Sequence, residues 1–136
     1  MEAAISISWL GVLIAAVAKF LIGFAWYSPI LFVKPWLELT GLTNEKVQAG
    51  LMRALIAEGV GNLIMAYVLA RFIAHYGSND LIGGGFIGFM AWLGFVATVM
   101  ANQIFYEHKP QQLIFINAGY MLVSLIVMGA IIGILQ

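Results

Sequence analysis

Four long apolar runs, separated by short polar turns, constrain this chain more than any other feature. They cover about residues 5–26, 51–72, 81–105 and 113–135 of the 136. A bilayer crossing takes about 20 residues at 1.5 Å each, so every run is long enough. Leu, Ile, Ala, Met and Gly dominate them, without the two-residue alternation of a barrel strand. Helices therefore fit, because each one satisfies its own backbone hydrogen bonds in lipid. The charge count agrees: 9% of residues are charged and 63% hydrophobic, against roughly 25% charged in an average soluble domain. Six Lys/Arg and six Asp/Glu cannot clothe a soluble fold of this length. That excludes an ordinary cytosolic enzyme and a disordered chain, and zero net charge without a basic patch excludes a nucleic-acid binder. With no cysteine, disulfides, thiolate metal sites and thiol nucleophiles are excluded too.

The expected architecture is all-α: one transmembrane domain over residues 1–136, folded as an integral membrane four-helix bundle. Met1-Glu2 is not a basic leader and no small-x-small site follows the first run, so that run is expected to be a retained helix. Tyr27-Ser28-Pro29 ends it, since proline removes a backbone donor and biases its predecessor away from helix. The apolar segment at 30–37 is too short to cross and reads as an interfacial or re-entrant piece. Thr43 then caps a new helix, with Glu45 in the first turn where the helix dipole favours an acid. It has no Gly-Pro break before Gly77, which predicts one helix of about 32 residues, or roughly 48 Å. Short turns at 77–80 and 107–110 make sequential helices antiparallel neighbours.

Basic residues orient the bundle. Lys34, Lys46, Arg53 and Lys109 belong to the side formed by the loops after the first and third runs; Arg71 stands alone opposite. The positive-inside tendency makes the first side cytoplasmic and both termini periplasmic. Trp26, Tyr27 and Trp36 on one side, with Trp9 and Tyr76 on the other, occupy aromatic-belt positions.

Within the runs the exceptions are informative. Lys19 and Glu58 are the ionisable groups well inside, and a lone charge at a helix centre costs about 2.5–3.5 kcal/mol on insertion scales. Lys19 lies seven residues before Trp26 and Glu58 seven after Leu51, so both sit roughly 10 Å below the same interface. On antiparallel neighbours the two charges can meet. Asn62 follows Glu58 by one turn, and Asn117, Tyr120 and Ser124 enter the fourth run from that side. Asn102 and Gln103 end the third run there, so all four helices are expected to supply a polar group to one layer. Two readings stand. The groups hydrogen-bond one another and fix helix register, at about 0.6 kcal/mol each. Alternatively they form a polar pocket in which Glu58 binds a proton or cation, Lys19 is the counter-charge, and Asn62, Asn102, Asn117 and Tyr120 are further ligands.

Small residues form a second pattern. Gly84 with Gly88, Gly129 with Gly133, and Gly11 with Ala15 are spaced i,i+4, which lets helix backbones approach closely, inside the bundle or between copies. Other signals fail. Gly83, Gly85 and Gly88 open a membrane helix rather than follow a strand, so no dinucleotide site is expected. His75 and His108 fall on opposite sides and cannot share a metal. Glu58 is the one deep acid, so hydrolytic catalysis is unsupported. No cofactor and no enzyme activity are expected.

Several strings resemble one family. Trp26-Tyr27-Ser28-Pro29 with Leu31-Phe32, Lys34-x-Trp36 and Gly41-Leu42-Thr43 resembles the opening of the bacterial family called domain of unknown function 1761. Asn102-Gln103-Ile104-Phe105 with Lys109-Pro110 is similar to its third loop, and Ile116-Asn117-Ala118-Gly119-Tyr120 through Gly133 to its last span. The resemblance implies a small four-span protein of the bacterial inner membrane, of unassigned activity, and supplies no catalytic residue. The expected function is binding or transport of a small solute or ion through the polar layer. The alternative is a structural or accessory subunit that docks other membrane proteins through small-residue faces. The expected partners are the lipid bilayer, further copies of the chain and, in the alternative reading, another membrane protein.

Overall fold

A computed structural model describes residues 6–136. The readings made on Met1, Glu2 and the start of the first span at Ile5 lie outside the described residues. Helix α1 (Trp9–Trp26) begins where the Ser8 hydroxyl accepts from the Gly11 N–H at 3.1 Å. Helix α2 (Val33–Thr40) stops at Gly41, which adopts the left-handed φ of 73°. At eight residues, about 12 Å, it is too short to cross, and it forms the expected segment between the first two spans. Helices α3 (Asn44–Ala49) and α4 (Leu51–Tyr76) follow, with Thr43 capping the first through the Lys46 N–H. A left-handed Gly77 ends α4, and the Asp80 carboxylate caps the next helix through Gly83 N–H at 2.7 Å. The third span is α5 (Leu81–Trp92), a π turn (Leu93–Ala97) and α6 (Thr98–Phe105); α7 (Gln111–Leu135) is the fourth. Four helical stretches are thus long and apolar enough to cross a membrane, and no strand occurs among the described residues.

Two expectations about continuity need correction. The helix predicted to run unbroken from 44 to 76 is interrupted at Gly50, whose φ of −99° and ψ of 5° lie outside helical values. Glycine costs about 1 kcal/mol in a helix interior, and six-residue α3 makes little packing contact that would offset it. The third span was expected as plain helix; instead it carries a π turn, where the Thr98 hydroxyl donates back to the Gly94 carbonyl at 2.8 Å.

The spans do not contribute equally to the core. Helix α7 is central, with α5 packed along one side and α1 along another; α4 packs mainly on α1. Gly84 and Gly88 face Gly129, Gly133 and the Leu125 carbonyl so closely that a Cβ at any of the four glycines would overlap backbone of the opposite helix. Close approach of this kind gains dispersion contact where no hydrophobic effect operates between helices. Ala15, Ala16, Ala66, Ala70, Ile73, Met128 and Ile132 fill the core beside it. At the end where α1 begins and α7 stops, Gln136 Nε2 donates to the Ser6 carbonyl at 2.6 Å and Trp9 stacks on Tyr67. α1 and α7 are therefore antiparallel over their full lengths.

Candidate functional site

Lys19 sits on the buried face of α1, four residues after Ala15, where small side chains leave room for a long one. Its ammonium donates to Glu58 Oε1 at 2.8 Å, Asn62 Oδ1 at 2.8 Å and the Tyr120 hydroxyl at 3.0 Å. An ammonium has three protons, and each has an acceptor. Glu58 and Asn62 reach it from one face of α4, a turn apart; Tyr120 comes from α7 and also donates to Glu58 Oε1 at 2.9 Å. A Cβ on Gly23 would stand 3.0 Å from the Tyr120 oxygen, so the bare backbone one turn after Lys19 makes room for that phenol.

Exposure splits the pair. The Lys19 side chain is 5% exposed and that of Glu58 38%. The Glu58 side chain thus reaches the outside of the bundle while that of Lys19 does not. Two further groups are buried without a hydrogen-bond partner: Asn62 Nδ2 and Ser124 Oγ, on residues only 1% and 0% exposed. Leaving a buried donor unmade costs about 1–3 kcal/mol, so this layer carries unspent hydrogen-bonding capacity beside a saturated cation.

Asn117 belongs to a second tier. It accepts from the Tyr27 hydroxyl at 2.8 Å, and the Tyr27 ring meets Tyr120 edge-on with centroids 5.4 Å apart. Burial, and then the charge of Glu58, push the Tyr27 phenol up to about 12, so it stays a proton donor to Asn117 at neutral pH. Asn102 does not join the layer. Its side chain is exposed and makes no hydrogen bond to Lys19, Glu58, Asn62 or Tyr120, while its carbonyl accepts from Tyr106 N–H. The expectation that all four helices supply the layer is corrected accordingly: α1, α4 and α7 build it. Part of the reason is the π turn, whose extra residue re-phases every position beyond it, and part is that α5 is committed to α7 through glycines.

Neither Gly23 nor the bond of Tyr27 to Asn117 carries a sequence signal, and Tyr27 serves this tier as well as the aromatic-belt position its place in the chain predicts. Two indole bonds carry none either: Trp26 Nε1 donates to the Ile116 carbonyl and Trp92 Nε1 to the Ala118 carbonyl, both at 2.9 Å. The Trp26 ring lies against Gly119, whose Cβ would approach it to 3.0 Å. The string Trp26-Tyr27 is thus seated on the string Ile116-Asn117-Ala118-Gly119. A spacing rule along one helix could not find this, because the acceptors are backbone carbonyls of another. Among the described residues, no three His, Cys, Asp or Glu side chains gather into a metal-binding group.

Fold and site together define a multi-pass, all-helical membrane protein with an ion pair built into its core. The chain belongs to the family described as "Protein of unknown function (DUF1761)", which it matches over residues 10–133. No curated protein and no solved structure matches it.

Proposed function

We propose that this chain is a non-enzymatic protein of the bacterial cytoplasmic membrane that binds a small solute or ion at the Lys19–Glu58 layer. The observation that carries the reading is the imbalance in that layer. Lys19 has spent all three donors, yet Asn62 Nδ2 and Ser124 Oγ have no hydrogen-bond partner and the Glu58 side chain is more than a third exposed. A layer serving register alone would be expected to satisfy its own groups. In this reading Lys19 is a tethered cation, and an incoming proton or small cation competes with it for Glu58. Protonation of Glu58 would free the ammonium and open the cluster. The non-enzymatic part is supported by Glu58 being the one acid inside the four spans. The orientation, with both termini periplasmic, is supported by Lys34, Lys46, Arg53 and Lys109 lying towards one end and Arg71 towards the other.

Reconstituted vesicles test it. Proton release or uptake on addition of Na+, K+ or a small primary amine should be seen with the wild-type chain and abolished by Glu58→Gln, with the variant still folded by circular dichroism. Wild-type behaviour of that variant in every binding and flux assay would end the proposal.

The accessory-subunit reading is narrowed by the glycines. Gly84, Gly88, Gly129 and Gly133 are used within the chain. What favours it is that Gly61 and Gly94, near mid-span, have nothing within 4 Å of an added Cβ. There a helix of a second copy or another membrane protein could approach. Cross-linking through cysteines introduced at Gly61 and Gly94 reads this directly.

A further inference from the structure

The second and third spans share a short turn but not a main packing partner. α4 leans on α1 and α5 on α7, so the two scarcely touch. A groove runs between them. Towards the Asp80 end it is an open cleft of about 550 Å³, lined by Phe72, His75, Phe86, Met90 and Phe95. It continues inward as an open cleft of about 370 Å³ reaching Gly61, with Leu125 of α7 on its lining. From His75 to Gly61 is 14 residues, about 21 Å along the helix axis. Half the hydrocarbon thickness is about 15 Å, so the groove can take an acyl chain from the interface to the midplane.

Its outer end is basic. Arg71 is exposed one turn before His75 on α4, and the ion pairs among the described residues are Lys19–Glu58 and Lys109–Glu107, so Arg71 is in neither. The neighbouring acid, Asp80, is turned to capping α5 through the Gly83 N–H. Tyr76, 74% exposed, adds an interfacial hydroxyl. An apolar groove walled by His75, with Arg71 one turn away on the same helix and in no ion pair among the described residues, matches an amphiphile with a negative head rather than a neutral one.

We infer that this groove seats one acyl chain of an anionic phospholipid, with the headgroup phosphate held by Arg71 and His75. The aromatic rings give the chain its walls, and the π turn places Phe95 on both parts of the groove. The inference does not use the Lys19–Glu58 layer: neither Lys19, Glu58, Asn62 nor Tyr120 lines the groove.

The purified full chain, stripped of lipid in detergent, is titrated with phosphatidylglycerol or phosphatidylcholine of identical acyl chains, and bound lipid is counted by native mass spectrometry. Phosphatidylglycerol should be retained about fivefold more, the factor expected of one basic residue at a membrane surface. Arg71→Gln should erase the preference, and Ala91→Phe, within the groove, should displace both lipids. Should Ala91→Phe fail to fold, the exposed Arg71→Gln carries the test alone. Equal retention of the two lipids, or a preference surviving Arg71→Gln combined with His75→Gln, overturns the inference. So does Ala91→Phe splitting an oligomer while lipid counts stay unchanged, since a second copy would then own the groove. Arg71-dependent binding of glycerol phosphate that matches the whole lipid preference overturns the acyl seat.

Discussion

Two contacts hold the central helix α7, and they work by opposite means. On one side α5 meets it through Gly84, Gly88, Gly129 and Gly133, where backbone lies on backbone and no side chain intervenes. On the other side Tyr120 and Asn117 meet α1, α4 and Tyr27 through polar bonds of 2.8–3.0 Å. The first contact tolerates no added atom; the second tolerates no unmatched charge. Lipid explains the pairing of strategies. Apolar side chains gain nothing by leaving acyl chains for one another, so helices are held by close dispersion contact or by directional bonds.

Breaking the glycine contact should have the larger effect. Gly88→Leu sets a side chain against the Leu125 carbonyl, and overpacking of this kind costs about 1–3 kcal/mol even where side chains can yield. Here backbone must move, so loss of the folded state is expected, visible as aggregation on size exclusion in detergent. Folded Gly88→Leu protein with an unchanged melting temperature would contradict the packing described.

Next comes the ion pair. Glu58→Leu leaves the Lys19 ammonium buried without its counter-charge, at a cost of roughly 3–5 kcal/mol for breaking a buried pair, reduced by the partial exposure of Glu58. Adding Lys19→Met should restore most of it, because two apolar side chains need no pairing in lipid. Thermal unfolding of the single and double variants in one detergent reads the difference. A double variant as unstable as the single one would show that the charge is not the source.

The smallest effects sharpen the boundary of the site. Tyr27→Phe removes the bond to Asn117 and should cost about 1 kcal/mol. Asn102→Ala, at an exposed side chain outside the layer, should stay within about 0.5 kcal/mol. Equal costs would place Asn102 in the layer after all.

Much of this architecture is legible in the sequence. Lys19 and Glu58 share a depth by counting residues, and the small-residue spacing of Gly84–Gly88 and Gly129–Gly133 is plain in the chain. The break at Gly50 could not be read, because one glycine is tolerated in many helices and only weak packing of α3 makes it decisive. The exclusion of Asn102 depends on a π turn, which no proline or charge announces.

Hydropathy and length alone determined four membrane-spanning helices, because a polar backbone in lipid has few ways to satisfy itself. They also determined that charged groups buried in that lipid would need partners. Which groups meet was decided by tertiary structure. Trp26 finds a carbonyl, Tyr27 finds Asn117, and Asn62 keeps an unspent N–H. These depend on the rotation and separation of helices distant in sequence, set by glycines that bring α5 onto α7 and by an ammonium that ties α1 to α4 and α7.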